Sequence, residues 1–383
     1  MAELNILDLD DLCLHSTMEY LGVNDLFHLS HTCTRFPDLA KECARNLCKN
    51  INCCVLMGIS RMYYRRQIIL GSKYCKQLTI YLSEFPIGDT SMLFDYVGKM
   101  DSLKNLMVMG CSHCVLMQNY FFSALKHLES LRRLYVYDSC ARWLDNLCRL
   151  RNLEEVQLGF DVEVSDLVKL CQSNTNLRNL SIFRSCKGNL ADLAPHCQNL
   201  KELFFYTNGG LYCTQPAHFP KLKDLSMEIF RVGNTEVGEL ASSFSSDDSL
   251  ASVIHFDQLR ATNFEEIAKI PSLKGINVHC NRDTLNCLAT VPLLEIITIR
   301  NYEAAFLPSL LNICRACLQL KQLFLFGPFQ VSYGFCANIL EVLKSVRNPT
   351  EQKPLEVQLF CRMSMAVEDL QEFTNEYMEL THF

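Results

Sequence analysis

Two cysteine pairs have the spacing that metal and redox sites use, Cys111-Ser-His-Cys114 and Cys314-Arg-Ala-Cys317. A tetrahedral zinc site needs two such pairs, or one pair with histidines, converging on a single ion. About 200 residues lie between these two, and both read as structural cysteines. Nucleophilic catalysis needs a cysteine or serine held beside a histidine and an orienting group. With 21 cysteines and 10 histidines some pairs fall close by chance, and none sits in a catalytic signature. Gly209-Gly210 stands alone, so no phosphate-cradling loop is read. The stretch Arg61-Met-Tyr-Tyr-Arg-Arg66 interleaves bases with aromatics as nucleic-acid surfaces do. With Lys73 and Lys76 it offers five bases, too few for a groove, and it reads as a solvated strand and turn. The expectation is a chain with no catalytic residue, no metal, no cofactor and no nucleic-acid partner.

Composition bounds the setting. Hydrophobic residues make up 49% and charged residues 20% of 383, which describes a folded chain. Apolar runs such as 53–59 fall short of the ~18 residues that a membrane helix needs, so no membrane association is expected. The acidic start, MAELNILDLDD, lacks the basic region of a secretory signal. An odd number of cysteines scattered over apolar positions then fits a reducing compartment, cytoplasmic or nuclear.

The elements that position side chains repeat. In SLKNLMVMGC, Leu103, Leu106 and Val108 fill an L-x-x-L-x-L frame. The frame opens again at Cys75, Leu131, Leu153, Leu177, Leu200, Leu222, Leu250 (with Val253 and His255), Leu273, Leu294, Leu320 and Pro354. The intervals run from 21 to 28 residues with a last step of 34, against a period of ~20–29 for leucine-rich repeats. Alternate side chains of a strand face opposite ways, so Leu106 and Val108 point inward while Met107 and Met109 point outward. One such unit cannot close a core, and each must stack on its neighbours. The fold class expected is an α/β leucine-rich-repeat solenoid, with a curved parallel sheet on the concave side and helices on the convex side. About twelve repeats span 75–362, after a connector at 51–74, and a capping helix closes the chain at 363–383, where residues 365–380 have helical spacing. The outward strand positions Met107, Met109, Tyr135, Tyr137, Phe183, Phe204, Tyr206, Phe324 and Phe326, together with Tyr81 and Phe256, form a concave stripe of types enriched at interface centres. This stripe is the expected site for a protein substrate.

Residues 1–50 carry no such frame. They hold eight acids against four bases, and their apolar spacing is helical: Leu14, Thr17, Met18 and Leu21, then Leu26, Leu29 and Cys33, then Phe36, Leu39, Ala40, Cys43 and Leu47. Asn24 and Thr34 are the expected caps of the second and third helices. The stretch ILDLDDLCLHSTMEYLGVNDLFHLSHTCTRF resembles the F-box. Leu9 matches the leading Leu of its Leu-Pro pair, Leu14 and Leu21 the first helix, Asp25 and Leu26 the Asp-Leu pair, and Cys33 the terminal Cys. Asp10 stands where the family has Pro, Thr17 and Met18 where it favours Ile and Phe, and Phe36 where it favours Trp.

The resemblance implies a three-helix module that docks a Skp-type adaptor, and through it a cullin, using Leu9, Asp10, Leu14, Met18, Leu21, Leu26, Leu29, Cys33 and Phe36. An F-box followed by leucine-rich repeats is a known architecture of ubiquitin-ligase substrate-recognition subunits, which deliver a bound protein for degradation without catalysing the transfer. The alternatives are a repeat scaffold that does not associate with a ligase, with Asp10 as its best sign, and a cysteine-dependent ubiquitin transferase.

Overall fold

The computed structural model describes residues 6–53, 61–81, 93–110, 115–137, 144–207, 210–214, 218–229, 251–256, 273–279, 282–291, 293–363 and 368–382. The chain divides into two compact units, Met1–Asp161 with Asp166–Leu180, and Val162–Ser165 with Ser181–Phe383. No helix among the described residues is long and apolar enough to cross a membrane.

Unit 1 opens with three helices, α1 (Asp11–Met18), α2 (Val23–Leu29) and α3 (Phe36–Leu47). Leu14 and Met18 of α1, Val23 and Leu26 of α2, and Phe36, Ala40, Cys43 and Ala44 of α3 are buried. On α3 these lie at i, i+4, i+7 and i+8, one face of a helix. Asp10 caps α1, its Oδ1 accepting from the Cys13 amide at 2.8 Å. The expected caps of the next two helices do other work. Gly22 precedes α2, leaving the Asn24 side chain to accept from Arg66 Nη1 at 2.8 Å. Pro37 in the first turn of α3 moves its cap to Arg35, since the proline ring presets a helical φ.

Five parallel strands follow: β1 (Asn50–Cys53), β2 (Gln77–Tyr81), β3 (Asn105–Met109), β4 (Arg133–Tyr137) and β5 (Glu155–Leu158). Leu78, Leu106, Leu134 and Val156 lie in one register row and Ile80, Val108, Val136 and Leu158 in the next. All eight are at most 1% exposed, and fully burying each contributes roughly 1.5–3 kcal/mol. The stretch 51–74, expected to be a connector of strand and turn, differs in two ways. Strand β1 already pairs with β2 through Ile51 and Leu78. The basic stretch is helix α4 (Arg61–Gly71), with Tyr64, Ile68 and Leu70 buried and the Arg66 guanidinium 5.3 Å from the centre of the Phe27 ring. A helix was missed because arginines interrupt its apolar stripe.

Unit 2 contains β6 (Val162–Glu163), β7 (Asn179–Asn189, of which it takes the part from Ser181), β8 (Glu202–Thr207), β9 (Leu211–Tyr212), β10 (Asp224–Ile229), β11 (Ala251–Phe256), β12 (Leu273–His279), β13 (Ile296–Arg300), β14 (Gln322–Val331), β15 (Leu355–Met363) and β16 (Met378–His382). Apart from β6 and β9, which pair with the far end of β7, these strands are parallel neighbours in chain order. Ile276, Ile297, Leu323, Val357 and Leu380 form one buried row. Helices Leu307–Ala316 and Tyr333–Val346 connect successive strands and bury Leu310, Ile313, Phe335 and Ile339.

Two expectations in unit 2 are corrected. The frame at Leu250 assigned Val253 and His255 to the inward rows, but β11 pairs Ile254 with Met227 on one side and with Ile276 on the other. The register is therefore one residue away, and Phe256 lies in the row of Ile229 and Val278 rather than in the outward stripe. A one-residue slip exchanges the two faces of a strand, and with Val253 and Ile254 both apolar the pattern does not choose between them. The closing helix expected over 363–383 is instead a 3-10 turn (Glu368–Phe373) and strand β16. Asn375 breaks the helical spacing, its Oδ1 accepting from the Tyr377 amide at 2.9 Å, and the open edge of β15 then satisfies the backbone. The polar stretch 241–249 and the helix start at 263–267 lie outside the described residues.

The alternation makes a paired prediction. Leu106→Asp should destabilise unit 1 by more than about 3 kcal/mol, because an unpaired carboxylate is buried, while Met107→Asp should cost under about 1 kcal/mol. Urea unfolding of both variants checks this. Gly159 provides a second test: a Cβ there would meet Tyr137 Cδ1 at 2.8 Å and Tyr137 Cα at 3.0 Å. Because a backbone atom cannot swing aside, Gly159→Ala should cost about 1–3 kcal/mol in the same measurement.

Candidate functional site

The helical module divides the expected docking residues into two groups. Leu14, Met18, Leu26 and Phe36 are at most 3% exposed and form its core, so they hold the helices together. Leu9, Leu21, Leu29 and Cys33 are partly exposed, and Asp10 is fully at the surface. Other apolar side chains are open: Ile6 (54%), Leu7 (44%), Leu12 (80%) and Tyr20 (91%). The signal for them was present in the sequence, because Leu12 and Tyr20 are apolar residues off the Leu14–Met18 stripe. Arg35 fixes this end of the module. Its Nε and Nη2 donate to Asp11 Oδ1 at 2.8 and 2.6 Å, and its Nη1 donates to the Leu7 carbonyl at 2.9 Å. The turn Ile6–Asp8 is thereby tied to the start of α1. The Asp10 carboxyl is held below the usual range, chiefly by the hydrogen bond from the Cys13 amide, and stays charged as a cap.

On the outward side of β2 to β5, side chains lie in three rows. Asn105, Arg133 and Glu155 form the first, Thr79, Met107, Tyr135 and Gln157 the second, and Tyr81, Met109 and Tyr137 the third. The two central tyrosines reach towards β5: Tyr135 donates its hydroxyl to Glu155 Oε1 at 2.9 Å, and Tyr137 donates to Gln157 Oε1. Gln157 donates in turn to Glu155, and Arg133 Nε sits 3.4 Å from the other carboxylate oxygen. Burial, and then the bond to Glu155, push the Tyr135 phenol up to about 12. Burial also raises that of Tyr137. Both stay protonated donors across the neutral range, so the rings are held in place.

In unit 2 the outward aromatics form two pairs. Phe183, 41% exposed, leans on Phe204 with ring centres 4.9 Å apart, and Tyr206 follows on β8. Further along, Phe324 lies between Thr298 and Gln358, and Phe326 stacks on Phe360 at 4.1 Å with the planes 7° apart. Polar groups interrupt the expected stripe. Ser226 is the neighbour of Phe204, and Glu356, with its carboxyl lowered by bonds from Gln322 and Gln358, closes the amino ends of β14 and β15.

Seven of the described thiols are made poor nucleophiles by burial. Burial pushes Cys48, Cys75, Cys186, Cys314 and Cys317 up to about 12, and Cys336 and Cys361 up to about 11. A thiol in that range is not a thiolate nucleophile at neutral pH. Cys317 donates to the carbonyls of Leu288 and Val291, a structural role. Cys111 and Cys114 lie outside the described residues. A cleft of about 790 Å³ in unit 1 is lined by charges of both signs, Glu19 and Glu42 with Arg45, Lys49 and Lys76.

Comparison with known proteins gives a family match and likenesses among solved structures, two of which follow. No curated protein matches the sequence. Among solved structures, the Rad7 and Elc1 complex of yeast is similar at 14% identity, over 83% of this chain and 87% of that one, with a TM-score of 0.46. The TLR13–ssRNA13 complex is similar at 14% identity, over 82% of this chain and 56% of that one, with a TM-score of 0.32. The family description F-box domain matches residues 6–47, the stretch that holds α1, α2, α3 and the turn before them, and the chain therefore carries an F-box domain ahead of its parallel strands.

Proposed function

We propose that this chain is a substrate-recognition subunit of a Skp-cullin-F-box type ubiquitin ligase, built as an F-box followed by a leucine-rich-repeat array. The observation that carries the reading is the F-box domain at residues 6–47. Its three helices bury their apolar stripes, with α4 packed against α2 and α3, and it still leaves Ile6, Leu7 and Leu12 open at its first turn. Apolar side chains exposed together usually mark a binding surface, and these are the residues offered to a Skp-type adaptor, with a cullin reached through it. The outward rows of the strands offer aromatic and methionine side chains to a substrate protein. The chain acts by proximity, since holding a target beside a ubiquitin-charged enzyme raises the local concentration without a catalytic residue here. Fifteen cysteines among the described residues are free thiols, which fits work in the cytoplasm or nucleus.

The competing scaffold reading rests on Asp10 in place of the family's Pro. Asp10 has φ −71°, within the range a proline ring imposes. The backbone geometry of the Leu-Pro pair is thus kept, and the carboxylate adds a cap in place of the ring. This favours a docking surface that still works.

The test is a pull-down of a Skp-type adaptor with the full chain and with Leu7→Asp/Leu12→Asp. The intact chain should bind, and the double variant should lose at least tenfold in affinity with its helical circular dichroism unchanged. No adaptor binding by the intact chain overturns the ligase reading in favour of the scaffold.

A further inference from the structure

The carboxyl ends of the last strands in unit 2 differ in character from their amino ends. Ile299 pairs with Leu325, and Phe326 with Phe360, which sets Arg300 next to Phe326 in the outward row. His279 pairs with Arg300 from the other side. Arg362 lies two residues beyond Phe360, opposite Gln330, on the same face by alternation. Arg300 and Arg362 are both exposed, and neither guanidinium has a hydrogen-bond or ion-pair partner among the described residues. At the amino ends the cations are neutralised instead: Lys274 and Lys321 both meet Glu295, at 3.5 and 2.5 Å.

We propose that this corner, the stacked Phe326 and Phe360 flanked by Arg300 and Arg362, binds an extended acidic protein segment that seats an apolar side chain on the ring pair between two carboxylates. The proposal rests on the reading of the outward strand face as a substrate surface and specifies the chemistry of what it takes.

Three observations lead to that occupant. An arginine already committed to an internal carboxylate has nothing left to give, whereas a free, exposed guanidinium presents its fork to carboxylates in two parallel hydrogen bonds. The spacing is that of an extended chain. Neighbouring strands lie ~4.8 Å apart, and two residues along a strand cover ~6.7 Å, so both arginines are within one or two residues of an apolar side chain resting on the rings. Lastly, stacking and arginine also suit single-stranded nucleic acid. A phosphate chain draws its affinity from a long run of cations, however, whereas the two arginines here match the two carboxylates of a short acidic segment.

Fluorescence anisotropy with the full chain tests this. The probe is an end-blocked, fluorescein-labelled nonapeptide with a central leucine and glutamates on both sides, compared with its glutamine counterpart and with a twelve-residue oligothymidylate. The glutamate peptide should bind at least tenfold more tightly than the glutamine peptide, and more weakly as salt is raised. Arg300→Glu/Arg362→Glu should remove that tenfold preference. The charge-matched control Arg315→Glu/Lys344→Glu, on helices, should keep it, and equal melting temperatures should show that both variants fold. The proposal is overturned if the two peptides bind alike, if the arginine variant binds as the parent does, or if the oligothymidylate binds as tightly. Because adaptor binding is measured separately, a chain that takes the adaptor but not the peptide keeps the ligase reading and loses only this one.

Discussion

One backbone arrangement recurs at the start of the strands and sets everything beyond it. The carbonyl of Lys49 accepts from the amides of both Lys76 and Gln77, that of Lys76 from Lys104 and Asn105, that of Lys104 from Arg132 and Arg133, and that of Arg132 from Glu154 and Glu155. Unit 2 repeats it, Lys201 serving Lys223 and Asp224, and Glu295 serving Lys321 and Gln322. A single acceptor thus fixes where each next strand begins, and it does so without using a side chain. Buried amides and carbonyls must be paired, so the step is obligatory, and only the inward positions are then constrained by packing. The outward positions are released from the fold and can be given to recognition.

That division explains what was legible. The inward rows could be read from Leu106, Val108, Leu134 and Val136 because a period of two with leucine-type residues has few other solutions. It failed at β11, where adjacent Val253 and Ile254 satisfy either register, and it passed over β1, where Cys48 and Ile51 have the right spacing without a leucine. At the chain end, helical spacing from Val367 to Tyr377 lost to an unpaired strand edge, a tertiary demand that a local pattern cannot contain. The outward positions of the named aromatics were legible by the same parity rule. Their partners were not, because Glu155 and Gln157 come from a neighbouring strand 20 residues away.

The helical module shows the opposite limit. An amphipathic stripe identifies the face that a helix buries, and Leu14, Met18, Leu26 and Phe36, read on the stripes of three helices, are all buried. A resemblance assigned that set to a partner, but in a module of three short helices the stripe is consumed in closing the core. Residues that can meet another protein are apolar ones that the stripe leaves out. Leu12, two residues past the Asp10 cap and 80% exposed, has no intramolecular reason to be leucine, and that mismatch between residue type and position is the more informative signal.

The outward strand surface is also layered along the strand direction. Amino-end positions carry Asn105, Arg133 and Glu155 in unit 1 and Gln322, Glu356 and Glu379 in unit 2, whereas carboxyl-end positions carry Tyr81, Met109 and Tyr137, and then Arg300, Phe326 and Phe360. Parallel strands make this possible, because every turn presents the same end on the same side; antiparallel neighbours would mix the two. Within either unit, a ligand lying along these strands crosses from polar to aromatic within two or three residues. Side chains locked by Glu155 and Gln157, or by stacking on Phe360, hold that contrast in place before anything binds, which reduces the ordering cost of association.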